Sequence, residues 1–321
     1  INDLERTEKM KNSDFAILYR MNSQSRAIED VLRREDVPYK IIGGLKFYER
    51  KEIKDTIAYL RLIANQADNL ALERIINEPK RGVGKTSLDK IEQISNETGM
   101  PMYEVVKNAQ NYVPKIYSNT RPFIDLIEKY NKMVQIQSTQ EADETNLTNI
   151  IEVPGEDNEE QRLSIPDLIT SVLKESGYID SLKAENNVEA ESRIQNVGEF
   201  LTVAEEFEKE SADKSLNEFL NNISLSSDTD NLEETDDVVT LMTLHSAKGL
   251  EYPVVFLVGM EEGIFPGYQS MGDDNELEEE RRLFYVGITR AKKYLFLTCA
   301  NMRKIFGSTS YNPPSRFLKE I

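Results

Sequence analysis

The residues best suited to chemistry sit near the C-terminal end. They lie in Thr240-Leu-Met-Thr243-Leu-His245-Ser-Ala-Lys248-Gly249-Leu-Glu251 and in Glu278-Glu-Glu-Arg-Arg-Leu-Phe-Tyr285-Val-Gly-Ile-Thr-Arg290-Ala-Lys292. Arg290 follows Ile288-Thr289 just ahead of an apolar run beginning at Tyr294, so it belongs where a helix meets a sheet edge. A guanidinium stays charged and bridges two phosphate oxygens at once. Supplied across a cleft, such an arginine contributes on the order of 10³–10⁵ in phosphoryl transfer. An isolated arginine here would instead pair with Glu278 to Glu280 on the surface. Glu251 closes the first segment, and a carboxylate accepts a pair of hydroxyl hydrogen bonds well.

A second constellation is Asn77-Glu-Pro-Lys80-Arg81-Gly82-Val-Gly84-Lys85-Thr86. It is not a phosphate loop. That motif needs glycine five positions ahead of the glycine of Gly-Lys-Thr, and here the position is Pro79, which has no amide proton and a fixed φ. The preceding Leu72-Glu-Arg-Ile-Ile76 also reads as helix rather than buried strand. The spacing predicts helix, hairpin, helix, with the second helix over Ser87 to Ile94. Two glycines permit φ > 0 and a close backbone approach. The amides opening the second helix suit a DNA phosphate, and Lys80, Arg81 and Lys85 add charge. An ordinary glycine turn is the alternative.

The frame for these residues is a chain of 321 residues, 39% hydrophobic and 30% charged, long enough for two ordinary domains. No run approaches the roughly 18 apolar residues of a membrane span, and the first residues given lack the apolar stretch of a signal peptide. The chain begins at Ile1 rather than Met, as a piece of a longer protein would. With Cys299 the only cysteine and His245 the only histidine, a disulfide framework, a cysteine-rich zinc site, a histidine metal cluster and a serine triad are excluded. A net charge of −18 argues against a nucleic-acid partner, but cations outnumber acids between residues 9 and 90. The acidity is concentrated in Glu141 to Glu160, Asp228 to Asp237 and Asp273 to Glu280, which read as solvated loops.

Phe15 to Tyr19 and Tyr39 to Ile42 read as strands, separated by a helix with Ser25 as its cap. From Glu49 helical patterns dominate, beginning with the stripe Ile53, Ile57, Leu60 and Ile63. Within them Ser138 to Gln161 is a polar gap expected to form a loop. Helices follow near Leu168 to Leu173, Ile194 to Phe207 and Leu216 to Ile223, and Ser226 to Asp237 reads as a linker. Strands return at Val238 to Leu244, Val254 to Val258 and Tyr294 to Cys299, in the continuous apolar style of a parallel sheet covered on both faces. The economical architecture is one α/β domain built from both ends of the chain, with a helical domain inserted.

The first of the two C-terminal segments resembles motif V, and the second motif VI, of superfamily 1 DNA helicases of the PcrA/UvrD/Rep kind. The resemblance spans nearly the full length and is weak from 100 to 235. It implies the C-terminal half of such an enzyme: a RecA-like parallel-sheet domain over 1–48 and 236–321, lacking the phosphate loop, with a mostly helical subdomain inserted over 49–235. In the family the arginine matching Arg290 reaches the γ-phosphate, and the acid matching Glu251 holds the ribose beside Gly249. Thr243, His245, Lys248 and Gly249 fall in the loop that links single-stranded DNA to the nucleotide site. Arg20-Met-Asn22-Ser-Gln-Ser25-Arg26 resembles a strand-contacting segment, and Phe306 matches an aromatic that stacks on a base. The stretch from Asn77 resembles a duplex-holding glycine hairpin. Gly43 to Arg50 also matches, as a domain junction near DNA.

The resemblance further implies ATP with Mg²⁺ as cofactor of the complete protein, none held tightly by this chain alone, and no metal site of its own. Implied partners are single-stranded DNA, duplex/single-strand junctions, an N-terminal RecA-like domain, and repair or replication proteins; the implied location is cytoplasmic, without a membrane. Two departures stand out. Where the family commonly has histidine after Gly263-Ile-Phe-Pro266, and a basic residue two places on, this chain has Gly267 and Gln269. Upstream motifs, including the Asn-Tyr-Arg-Ser segment, are absent. A noncatalytic DNA-binding or protein-docking module, or the helicase part of an AddA-type helicase–nuclease, are the competing readings.

Overall fold

The computed structural model describes residues 1–146, 163–228, 237–305 and 308–321. In chain order the elements are α1 (Asn2–Glu8), β1 (Phe15–Tyr19), α2 (Ser25–Arg34), β2 (Tyr39–Ile42), α3 (Lys51–Ala64), α4 (Asn69–Ile75), α5 (Lys85–Thr98), α6 (Met102–Lys107), α7 (Ala109–Tyr112) and α8 (Pro114–Asn146). There follow α9 (Ile165–Glu175), α10 (Tyr178–Glu185), α11 (Val188–Glu210), α12 (Leu216–Asp228), β3 (Val239–Thr243), β4 (Tyr252–Val258), α13 (Asp274–Ile288), β5 (Ala291–Thr298), β6 (Arg303–Ile305) and β7 (Ser308–Ser310). The chain divides into two compact units, 1–50 with 227–321, and 51–226. The resemblance implies boundaries at 48/49 and 235/236.

The first unit is built on a five-stranded parallel sheet in the order β2-β3-β1-β4-β5. Both faces of β1 are buried. Ala16 and Leu18 pack with Met242, Leu257 and Phe284 on one side, whereas Phe15, Ile17 and Tyr19 pack with Leu32 and Leu241 on the other. The period-2 alternation therefore places every residue of the run in a core, which is why the sequence reads as uninterrupted apolar.

The register has a consequence for the site. Tyr19 lies level with Thr243, and Phe15 with Val254, so the ends of β1, β2, β3 and β4 share one edge of the sheet. The starts of β4 and β5, where Tyr252 is level with Ala291, form the opposite edge. Residues 244–251 run from the first edge to the second, between β3 and β4. Parallel strands usually need a crossover of roughly a dozen residues; this one is short, and is built from turns and a single 3-10 turn at His245–Ala247.

The second unit is helical. The stripe expected on α3 is buried at Ile53, Leu60 and Ile63. Polar side chains inside it are paired: Asp55 meets Arg74 at 2.8 Å and Tyr178 at 2.8 Å, and Asn196 donates to Glu52 at 2.5 Å. Some expectations need correction. Helix α8 continues to Asn146, through the first part of the Ser138–Gln161 gap; the segment is polar, yet Gln, Glu and Ala are good helix formers. Residues 147–162 lie outside the described residues, as do 229–236 of the expected linker. Ser25 does not cap α2. It is the helix's first residue, buried, and donates through Oγ to Glu29 at 2.5 Å.

Candidate functional site

The segment after β1 is shaped by Gln24, whose Oε1 accepts the Arg20 N–H at 3.0 Å and the Met21 N–H at 2.9 Å. This tight turn holds Arg20 and Asn22, both half-buried, at the carboxyl-end edge of the sheet. Thr243 ends β3 on the same edge, and its hydroxyl meets Ser246 Oγ at 3.0 Å. Gly43, at φ 72°, sits so close that an added Cβ would lie 2.3 Å from Ser246 Oγ. The turns after β1, β2 and β3 are thus in contact, in the crevice outside the carboxyl ends where α/β sheets bind ligands. Arg26 does not join them. It is buried and donates to Asp30 at 2.9 Å, so it stabilises its own helix rather than reaching for a strand.

A buried carboxylate ties this edge to α13. Glu280 accepts from Arg20 Nε at 2.9 Å and lies 2.7 Å from Arg20 Nη2, and it also accepts the Gly267 N–H at 3.4 Å. His245 is exposed beside this pair. Partial burial and the Arg20 charge lower its pKa, against the opposing pull of Glu280 and Glu279. The imidazole is therefore neutral near pH 7.

Arg290 and Glu251 occupy the opposite edge. Arg290 lies in the joint between α13 and β5, and its carbonyl accepts the Tyr252 N–H at 2.9 Å. Its guanidinium donates to the carbonyls of Val286 at 2.9 Å and Leu250 at 3.0 Å, and to Thr289 Oγ1 at 3.0 Å. The surface pairing with Glu278 to Glu280 does not form: Arg281 takes Glu278, Arg282 takes Glu279 and Arg20 takes Glu280. Glu251 is exposed and lies 3.7 Å from Lys292. Lys248 and Gly249 are exposed on the crossover, with Gly249 at φ 85°. Thr243 and Glu251 thus mark its two ends.

The glycine hairpin belongs to the second unit. It joins α4 to α5, as the spacing predicts. Asn77 Oδ1 accepts the Arg81 N–H at 2.8 Å and the Val83 N–H at 3.1 Å, bending the chain back on itself. Gly82 has φ 73°, but Gly84 is extended at φ −88° and caps α5, so only one of the two glycines needs left-handed backbone. Lys80 and Lys85 are exposed. Arg81 is not available as they are. Its guanidinium donates to the Ile75, Ile76, Glu78 and Ser176 carbonyls and to Tyr59 Oη at 2.8 Å, above the Phe123 ring. It holds the hairpin's shape, so the free-standing positive charge of the turn is that of the exposed lysines.

The sequence missed two buried acids. Glu280 shares a helical stripe with Phe284 and Gly287, the spacing that could have revealed it. Glu261 is fully buried and accepts from Arg303 Nε at 2.9 Å, Arg303 Nη2 at 2.7 Å and the Ala300 N–H at 2.8 Å. This pair secures the start of the β6–β7 hairpin. Phe306, between those strands, lies outside the described residues. Gly267 and Gln269, the departures, fall in the loop ahead of α13.

Residues 1–302 match the family described as UvrD-like helicase C-terminal domain. The ATP-dependent DNA helicase PcrA of Bacillus subtilis (strain 168) is 44% identical over 327 residues, covering 100% of this chain and 41% of that protein. PcrA of Leuconostoc citreum is 43% identical over 331 residues, with 100% and 41% covered. PcrA of Staphylococcus aureus (strain Mu50 / ATCC 700699) is 42% identical over 315 residues, with 97% and 40% covered. The chain spans about two fifths of the length of these relatives.

Proposed function

The chain belongs to the UvrD-like helicase C-terminal domain family, and from that premise we propose that it is the strand-tracking, arginine-supplying portion of an ATP-dependent DNA helicase. The observation carrying this reading is the two-edged sheet. Arg20, Asn22 and Thr243 stand on one edge, Glu251 and Arg290 on the other, with residues 244–251 running between them. A strand held at the first edge and a nucleotide at the second then share one short segment of backbone.

Arg290 and Glu251 fit a nucleotide by the chemistry of their donors and acceptors. Arg290 has a partly exposed planar fork for phosphate, and Glu251 an exposed carboxylate for ribose hydroxyls. ATP with Mg²⁺ would supply the free energy of hydrolysis. The sequence contains no phosphate loop, so the β- and γ-phosphates are cradled by another, RecA-like domain. Arg290 steadies charge developing there, and Lys248 with His245 follows the strand backbone. In the second unit, Lys80, Lys85 and the amides at Gly82 to Gly84 hold duplex at a junction. Phe306 stacks on a base. No described helix is long and apolar enough to cross a membrane; the reading places the work in the cytoplasm, with repair or replication proteins as neighbours. A pure docking module would have no use for Arg290 or Glu251.

Fluorescence anisotropy of the chain with single strand, blunt duplex and tailed duplex, titrated at several salt concentrations, tests this. Preference for the tailed duplex, lost on changing Gly82 and Gly84 to Ala, is the expected result. No binding of any DNA at low salt would overturn it.

A further inference from the structure

We infer that Glu280 is a positioning residue for strand binding: its buried carboxylate aims the Arg20 guanidinium and fixes the Gly267 loop, although it adds negative charge to a surface meant for DNA. The inference rests on the strand-contact reading above.

An arginine has five N–H donors in a rigid fork. Glu280 engages Nε and Nη2, at 2.9 and 2.7 Å, and Nη1 has no hydrogen-bond partner among the described residues. Arg20 retains 28% of its side-chain exposure, against 10% for Glu280. A side chain gripped along one side of its fork keeps the other free at little further entropic cost, which is how a flexible arginine becomes a fixed phosphate ligand. The same carboxylate accepts the Gly267 N–H at 3.4 Å. Gly267 stands where the family commonly has histidine, so here the loop offers backbone rather than a side chain. Glu280 also carries the connection onward: it lies mid-way along α13, whose end leads into Arg290.

The sign of the effect makes the inference testable. The chain carries a net charge of −18, so on bulk electrostatics alone removing a carboxylate strengthens binding to a polyanion. Positioning demands the opposite. In anisotropy titrations of the 321-residue chain with single-stranded DNA, Glu280→Gln and Glu280→Ala are expected to bind about fivefold to tenfold more weakly. The slope of log affinity against log salt should fall by about one unit, the share of one lost phosphate contact. Arg20→Gln should weaken binding similarly, and Arg20→Gln/Glu280→Gln no further than Arg20→Gln alone. Glu280→Asp, which keeps the charge, should recover part of the loss. Circular dichroism of each variant checks that it is folded; the milder Glu280→Gln carries the test should Glu280→Ala unfold.

Unchanged or tighter binding by Glu280→Gln, with Arg20→Gln still weakened, overturns the inference and leaves the strand-contact reading standing. Unchanged binding by Arg20→Gln overturns the strand contact itself, and the inference with it.

Discussion

Arg290 Nη1 donates to the Leu250 carbonyl at 3.0 Å, so the arginine closing one motif is tied to the residue just ahead of Glu251 in the other. A second bond, Nε to the Val286 carbonyl at 2.9 Å, folds the side chain back over the end of α13. Neither acceptor is charged, so a phosphate competes with them on favourable terms. Joined to a domain that supplies a phosphate loop, Arg290→Ala and Arg290→Lys should each lower strand-stimulated ATP turnover by about 10³-fold or more. Lysine fails because a point charge does not bridge two oxygens. Strand affinity should stay near that of the unaltered protein. Steady-state hydrolysis assays read the effect, and undiminished turnover in Arg290→Ala would sink the assignment.

Arg81 and its neighbouring lysines separate shape from charge in the hairpin. Arg81→Ala removes one shared donor from four carbonyls and Tyr59 Oη, although the Glu78 carbonyl keeps the Tyr59 hydroxyl and the Ile75 carbonyl keeps the Glu78 N–H, and it uncovers the Phe123 ring. Its cost should be about 2–3 kcal/mol, read from the urea midpoint. Lys80→Ala and Lys85→Ala should change stability by less than about 0.5 kcal/mol. Each should instead reduce the salt slope of duplex binding by about one unit. Equal stability across all three variants would contradict the division.

The parts of this molecule legible in its sequence are those where local pattern and final environment agree. Phe15 to Tyr19 reads as strand because both faces of β1 are covered, and the turn at Asn77 to Gly84 reads as hairpin because proline and glycine punctuate it. Glu280 was hidden in a run of three acids that reads as a solvated face; only the phase of α13 decides which of them turns inward. The duties of Arg81 and Glu261 depend on Ser176 and Arg303, 95 and 42 residues away in sequence, which no local pattern encodes. Arg26 misled for the converse reason: Asp30, one helical turn on, claims it.

Gly287 brings α13 close against Leu244 at the start of the crossover. A Cβ there would meet Leu244 Cδ2 at 2.6 Å and Leu257 Cδ2 at 3.4 Å, and both leucines are fully buried. Gly287→Ala should therefore cost about 1–3 kcal/mol, because neither side chain has room to swing away. Leu244→Ala makes the missing space, so the double variant should lose less than the sum of the two singles. Additive losses in urea unfolding would show that the two residues do not press on each other.

His245 provides a pH test. Its folded-state pKa lies below the ordinary 6.5 through partial burial and the Arg20 charge, so the unfolded chain takes up a proton first as pH falls. Stability from this group is complete above about pH 6.5 and is lost as pH falls through the folded value. His245→Gln should flatten the pH dependence of the urea midpoint below about pH 6.5. It should leave the pH dependence of strand affinity unaltered from about pH 7 to about pH 8, where an imidazole titrating below its ordinary value is largely neutral. Affinity that rises on acidification within that range, and ceases to do so in His245→Gln, would show that the ring binds DNA charged.

Glu261 and Arg303 make the reverse case. Burial alone would raise the Glu261 pKa, but the Arg303 guanidinium and the Ala300 N–H outweigh it and hold the group below its ordinary value. Its stabilisation is present above the unfolded carboxylate's pKa and is lost as pH falls through the folded value. Arg303→Ala strands a fully buried charge and should cost about 3–5 kcal/mol. Adding Glu261→Gln removes the charge and should restore a large part of that loss, since a neutral amide still accepts the Ala300 N–H. Urea midpoints for the two variants and the double decide it. If Arg303→Ala falls within about 0.5 kcal/mol of the unaltered chain, the pair does not secure the β6–β7 hairpin.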